Sequence, residues 1–170
     1  MSLPPCPATQ IESSPVATIG AASCRRSTAR ARTPLEHVET TRASAATLWS
    51  CWIDVGTWSE WAGWVGSATL EGPFEIGAHG RVGETTGYRT TFTVATLDAP
   101  YAQEFIVHIF GADVHMSREI VDESEVTTFK HSVWITGRLR RVWVRPLKRR
   151  GGELAESMRR LATYAESLHR

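Results

Sequence analysis

Much of what would quickly classify this 170-residue chain is missing from it. There are three cysteines, at positions 6, 24 and 51, with no metal-site spacing, and their odd number argues against a disulfide framework. No apolar run approaches the roughly 18 residues of a membrane span. No repeat of fixed period is visible. A formal charge of +1 gives no global pull toward nucleic acid or membrane. There is no Gly-x-x-x-x-Gly-Lys-Ser/Thr loop, and Gly77-Ala78-His79-Gly80 is not a dinucleotide fingerprint. No His-Glu-x-x-His or Cys-x-x-Cys pair occurs, so no metal is expected, and no Gly-x-Ser-x-Gly elbow supports a serine hydrolase. No cofactor is expected, and the sequence reads as cytoplasmic.

Acids are nearly absent from residues 1–33, which hold only Glu12 and end in a basic cluster at Arg25, Arg26, Arg30 and Arg32. This stretch is rich in Pro, Ser, Ala and Thr. It cannot bury enough apolar surface to offset its ordering entropy, and it lacks the apolar centre of a secretory signal. We read it as a disordered or non-native extension and expect residues 34–170 to form one domain.

Tryptophan is abundant, and five of the seven fall at 49, 52, 58, 61 and 64. Each can bury ~150–250 Å², so this run can anchor a core. Leu48, Trp49, Trp52 and Ile53 share a helical face. Ser44 reads as an N-cap, and Gly56 as a break before a second short helix carrying Trp58 and Trp61. Cys51 reads as a small packed residue. Ahead of the helices, Leu35–Arg42 reads as an edge-like strand. After them come six β-rich runs, Val65–Leu70, Gly80–Thr85, Tyr88–Leu97, Gln103–Phe110, Val114–Asp122 and Val126–Thr136, joined by turn signals as antiparallel hairpins. Beyond Gly137 the period turns helical. About two turns, interrupted by Pro146 and Gly151-Gly152, precede an amphipathic helix from about Gly152 to Leu168. A strand at Arg138–Arg145 is the alternative for the first piece. A curved sheet needs a cover for its apolar face, and only the last helix is long enough. The space between them is the default binding site.

On the strand at 126–136, Phe129, His131, Val133 and Ile135 share the more apolar face, which should turn inward. The same parity puts Phe92 and Val94 inside. Taking Val114, Met116 and Ile120 as inward brings Arg118 with them, unless a bulge turns it to water. A buried arginine needs a carboxylate or a ligand oxygen to offset desolvation. His131 is either a satisfied core residue or a base. His79 lies near the mouth, while His108 and His115 are not placed by parity. Asp54 reads as a cap or salt bridge between the helices rather than an acid/base group. Arg118 and His131 are the candidate catalytic pair. Trp61, Trp64, Tyr88, Phe92, Met116, Phe129, Val133 and Met158 are the expected pocket wall.

Taken in order, Ala45-x-x-Leu48-Trp49 leading to Asp54, Trp58-x-x-Trp61, Leu97-Asp98-Ala99-Pro100, Val126-Thr127-Thr128-Phe129-Lys130-His131, Gly137 and Leu161-x-x-x-Ala165-Glu166 resemble the START-like, helix-grip superfamily. Within it they resemble the polyketide cyclase/dehydrase and lipid-transport group over about residues 35–168. The resemblance implies an α+β fold of six to seven antiparallel strands wrapped around a long C-terminal helix, with two short helices after the first strand. It also implies an elongated apolar pocket for a small organic ligand, with no obligatory metal or nucleotide. Two functions follow: a polyketide cyclase or dehydrase of secondary metabolism, or a non-catalytic carrier of a lipid or other hydrophobic molecule. The cyclases it resembles use an inward arginine as donor. On the strand where that residue would stand, Phe92 faces inward here and Arg89 takes the opposite parity. The basic run Arg138, Arg140, Arg141, Arg145, Lys148, Arg149 and Arg150 is either a solvated face or a dock for an acidic acyl carrier protein. Nucleic acid fits it poorly, because no aromatic–basic interleaving accompanies it.

Overall fold

A computed structural model describes residues 35–168. The expected extension at 1–33 lies outside these residues. The elements run β1 (Leu35–Thr41), α1 (Ala45–Ile53), a 3-10 turn (Val55–Thr57), α2 (Trp58–Trp61), β2 (Val65–Leu70), β3 (His79–Glu84), β4 (Arg89–Asp98), β5 (Ala102–Ile109), β6 (Ala112–Glu123), β7 (Thr127–Thr136), α3 (Arg140–Arg149) and α4 (Gly151–Ser167). The strands form one antiparallel sheet in the order β1-β7-β6-β5-β4-β3-β2. Five successive hairpins build β2 to β7. Helices α1 and α2 carry the chain from one sheet edge, β1, to the other, β2.

Local chemistry starts each piece. The Ser44 hydroxyl accepts a hydrogen bond from the Thr47 N–H at 3.2 Å and caps α1. The buried face of α1 is Ala45, Leu48, Cys51 and Trp52, rotated from the expected stripe, so that Trp49 and Ile53 are only partly covered. The rotation seats Trp52 under the sheet against Phe129, with ring centroids 6.5 Å apart. Trp58 and Trp61 are both buried. Each of the three buried indoles contributes about 4–6 kcal/mol of burial before its ordering entropy is counted.

Helix α4 inserts Leu154, Met158, Leu161 and Ala165 into the same core. It is tied to β1 by side chains: Thr41 Oγ1 donates to Ala162 O (3.3 Å) and Glu166 Oε1 (3.0 Å), and the Arg42 N–H donates to Glu166 Oε1 (2.8 Å). The segment at 140–149 is helix rather than strand, and Pro146 sits inside it instead of ending it. The hydrogen bond that Pro146 forgoes would end on the carbonyl of Val142, an exposed residue, so water can serve that oxygen. The break falls at Arg150.

Candidate functional site

The antiparallel register arranges the inner face of the sheet in rows. One row is Val107–Val114–Ile135. The next is Phe105–Met116–Val133, continuing to Leu35. The third is Gln103–Arg118–His131, continuing to His37 on the edge strand. Two rows are apolar and one is polar. Strand β6 does carry a bulge, between Ile120 and Asp122, but it lies beyond Arg118 and leaves that side chain pointing inward. The register thus sets Arg118 and His131 side by side.

Both are buried, with 2 % and 3 % of their surface exposed, and Gln103 beside them is 1 % exposed. The Arg118 guanidinium carbon lies 4.9 Å from the ring centroids of Trp58, Trp61 and Phe105. This aromatic cage returns part of the desolvation cost, ~0.5–2 kcal/mol per ring. Among the described residues no carboxylate pairs with Arg118, and burial pushes its pKa down to about 9. His131 sits 5.9 Å from the centroids of Trp52 and Phe129. Burial, then the Arg118 charge, then His37, hold His131 well below the ordinary histidine value, so it is neutral. Buried polar atoms without a hydrogen-bond partner cluster here: Arg118 Nε and Nη1, Gln103 Nε2 and Oε1, His131 Nε2, Trp52 Nε1 and Trp61 Nε1. Buried polar groups are ordinarily paired, so this concentration makes the row the candidate site.

A cavity of about 120 Å³ opens under the apolar rows, walled by Trp64, Val107, Val114, Met116, Val133 and Leu154. A second, of about 300 Å³, adjoins it beneath α3, between Tyr88, Ile135, Trp143 and Leu147. A third, of about 220 Å³, lies outside Trp64 and Ser157. Glu84 and Arg150 line all three. Of the expected wall, Trp64, Met116 and Val133 border the first cavity and Tyr88 the second. Trp61, Phe92, Phe129 and Met158 are packed inside the core, each at most 1 % exposed. The indoles that cover Arg118 fill the space beside them. The polar row therefore lies two residues, about 7 Å, further along the strands than the row that borders the cavity.

The remaining candidates have other employment. Asp54 is exposed, and its carbonyl accepts from the Thr57 N–H (3.1 Å) and hydroxyl (2.9 Å), a turn role. Burial pushes the Cys51 thiol up to about 11, which removes it as a nucleophile. Of the histidines left open by parity, His108 bonds Asp113 and Thr93 and His115 bonds Glu104 and Thr136; His79, expected near the mouth, bonds Thr93 and lines none of the three cavities. Gln103 and Glu84 were not singled out by sequence, and Arg150 was named only as the end of the basic run. Period-2 alternation with Phe105 and Val107 carries the signal for Gln103. Among the described residues, no group of three or more His, Cys, Asp or Glu is placed to hold a metal. No described helix is long and apolar enough to cross a membrane.

No protein-family model matches the sequence, and neither does any curated protein sequence. Solved structures do match the fold. DynU16, from the dynemicin biosynthetic locus, superposes with a TM-score of 0.61 at 19 % identity over 79 % of this chain, which spans 48 % of the DynU16 chain. Norcoclaurine synthase from Thalictrum flavum gives 0.61 at 12 % identity, covering 81 % of this chain and 96 % of its own. A Mesorhizobium loti protein gives 0.65 at 9 % identity, covering 79 % and 97 %. The chain has the helix-grip, Bet v 1-like fold that its sequence resembles: an open seven-stranded antiparallel sheet with a long C-terminal helix.

Proposed function

We propose that this protein takes a small hydrophobic, polyketide-like molecule into the cavity between sheet and α4 and acts on it as a cyclase/dehydrase-like protein of secondary metabolism, in the cytoplasm. The observation that carries this reading is the buried, partnerless Arg118–His131 pair one row below an apolar cavity. Neutral His131 is suited to take a proton from the acidic carbon between two carbonyls. Arg118 is suited to hold the resulting enolate oxygen. The enolate carbon then bonds to a second carbonyl carbon of the same chain, whose oxygen takes up a proton. That hydroxyl then takes a second proton and leaves as water while the enolate-derived carbon gives up its remaining proton, so a C=C bond forms. A synthase and a biosynthetic-locus protein on the same fold are consistent with such chemistry.

The exposed cations of α3 and its flanks stand beside the second cavity, where an acidic acyl carrier protein delivering a tethered substrate would dock. Non-catalytic carriage of a lipid or other hydrophobic molecule is the second reading. It is favoured by the apolar lining of the cavity and by the indoles sealing the polar row.

Native mass spectrometry of protein purified from its own host tests both. A co-purifying polyketide or cyclised product supports catalysis, and a fatty acid or isoprenoid supports carriage. No bound molecule, together with no uptake of any apolar probe, overturns both. Met116→Trp, which fills the cavity, should abolish uptake without unfolding the chain.

A further inference from the structure

The partnerless atoms of the polar row differ in kind. Five are nitrogens that only donate: Arg118 Nε and Nη1, Gln103 Nε2, Trp52 Nε1 and Trp61 Nε1. One, Gln103 Oε1, only accepts, and His131 Nε2 does either. The row therefore holds far more hydrogen to give than oxygen to receive it, and it holds a guanidinium with no counter-charge. A neutral ketone offers one oxygen and no charge. A carboxylate or the enolate of a 1,3-diketone offers two oxygens that share one negative charge, which matches both the donor excess and the planar guanidinium.

We propose that the ligand meets the Gln103–Arg118–His131 row with such a delocalised oxyanion, and that Gln103 is a further recognition residue. Gln103 stands directly opposite Arg118 on the neighbouring strand. Its amide places a second donor on the same oxyanion and leaves its own oxygen toward an N–H of the row. The proposal rests on the pocket reading above and narrows it to acidic ligands. Entry from the cavity requires the indoles over Arg118 to shift, so binding is visible in tryptophan fluorescence.

The test uses titrations followed by that fluorescence at neutral pH, where Arg118 keeps its charge, with naphthalene-2-carboxylate against its methyl ester and 4,4,4-trifluoro-1-phenylbutane-1,3-dione, whose fluorines make the enolate its main form there, against butyrophenone. The expected result is tighter binding of each acidic probe than its neutral partner, by about 10-fold or more, from charge-assisted hydrogen bonds. Arg118→Met and Gln103→Leu should each erase that preference while the neutral probes still bind. Gln103→Glu puts a carboxylate opposite Arg118. It should raise the urea midpoint and also abolish acid preference, a pairing of outcomes that a purely structural glutamine would not give. Preference for the carboxylate alone, or for the enolate alone, identifies which source supplies the oxyanion. Equal binding of acidic and neutral probes overturns the proposal and leaves the pocket reading standing. Binding of no probe, or binding that survives Met116→Trp, overturns the pocket reading with it.

Discussion

Glu84 and Arg150 grip each other through two hydrogen bonds, 3.1 and 2.9 Å long, across the rim common to all three cavities. One partner ends β3 and the other sits at the break between α3 and α4. The pair ties the junction of α3 and α4 to the end of β3.

Glu84→Gln should loosen that tie. Arg150 is partly in water, so screening limits the stability loss to about 0.5–1 kcal/mol. The larger effect should be kinetic, with faster entry and exit of an apolar fluorescent probe in stopped flow. The Arg150 hydrogen bonds hold the Glu84 carboxyl below its usual value of 4.5. Its contribution is therefore complete above pH 4.5 and is lost as pH falls through the depressed value, so acid should mimic the substitution. Unchanged exchange rates in Glu84→Gln would remove the pair from the entrance.

Arg118→Met should not weaken the fold. The side chain it removes is a buried cation with no counter-ion, and replacing buried ionic groups by apolar ones of similar volume is neutral or stabilising by about 1–4 kcal/mol. The urea midpoint should hold or rise while binding of acidic probes is lost. A fall of more than about 2 kcal/mol would make the guanidinium a structural element of the aromatic cage.

His131 should shape the acid limb of stability. In the native chain it is held neutral, whereas in the unfolded chain it protonates near its ordinary 6.5. Below that pH the unfolded state binds more protons, so stability falls as pH drops, with a limiting slope of about 1.4 kcal/mol per unit. His131→Phe, set between Phe129 and Val133, should flatten the curve below pH 6.5. Equal slopes in the two proteins would show that His131 protonates freely in the folded chain.

Gly80→Ala should be among the most damaging single-methyl changes. A Cβ there would lie 2.2 Å from Phe92 Cζ and 2.6 Å from the Thr69 carbonyl oxygen. The Phe92 ring is itself held against Trp58 and Phe105, at 5.3 and 5.6 Å between centroids, so it has nowhere to go. Overpacking of this kind costs about 1–3 kcal/mol, readable as a lower urea midpoint.

The fold was legible because its signals are local and repeated. Phe129, His131 and Val133 alternate with outward residues, and Leu154, Met158, Leu161 and Ala165 recur at helical spacing. Parity also reached Arg118 and His131, since a regular strand leaves no choice of face. It could not say that the two stand opposite each other, because cross-strand register depends on a turn of uncertain length at 124–126 and on a bulge. Nor could it separate the wall of a cavity from filled core. Met116 and Phe92 both point inward, but only three-dimensional packing decides which has an indole in front of it. Gln103 escaped because, beside Ala99-Pro100, it reads as the frayed start of a strand. Pro146 misled for the opposite reason, since a helix lying in water can spare the bond that a buried one cannot.

Strand β1 pairs with β7 alone and is bound through Thr41 and Arg42 to Glu166 of α4. Among the described strands, β1 is therefore synthesised well before the residues at 127–136 and 162–166 that hold it. Until that partner is made, both edges of β1 lie open to pairing with other chains, a hazard that ends only when the two distant parts of the chain meet.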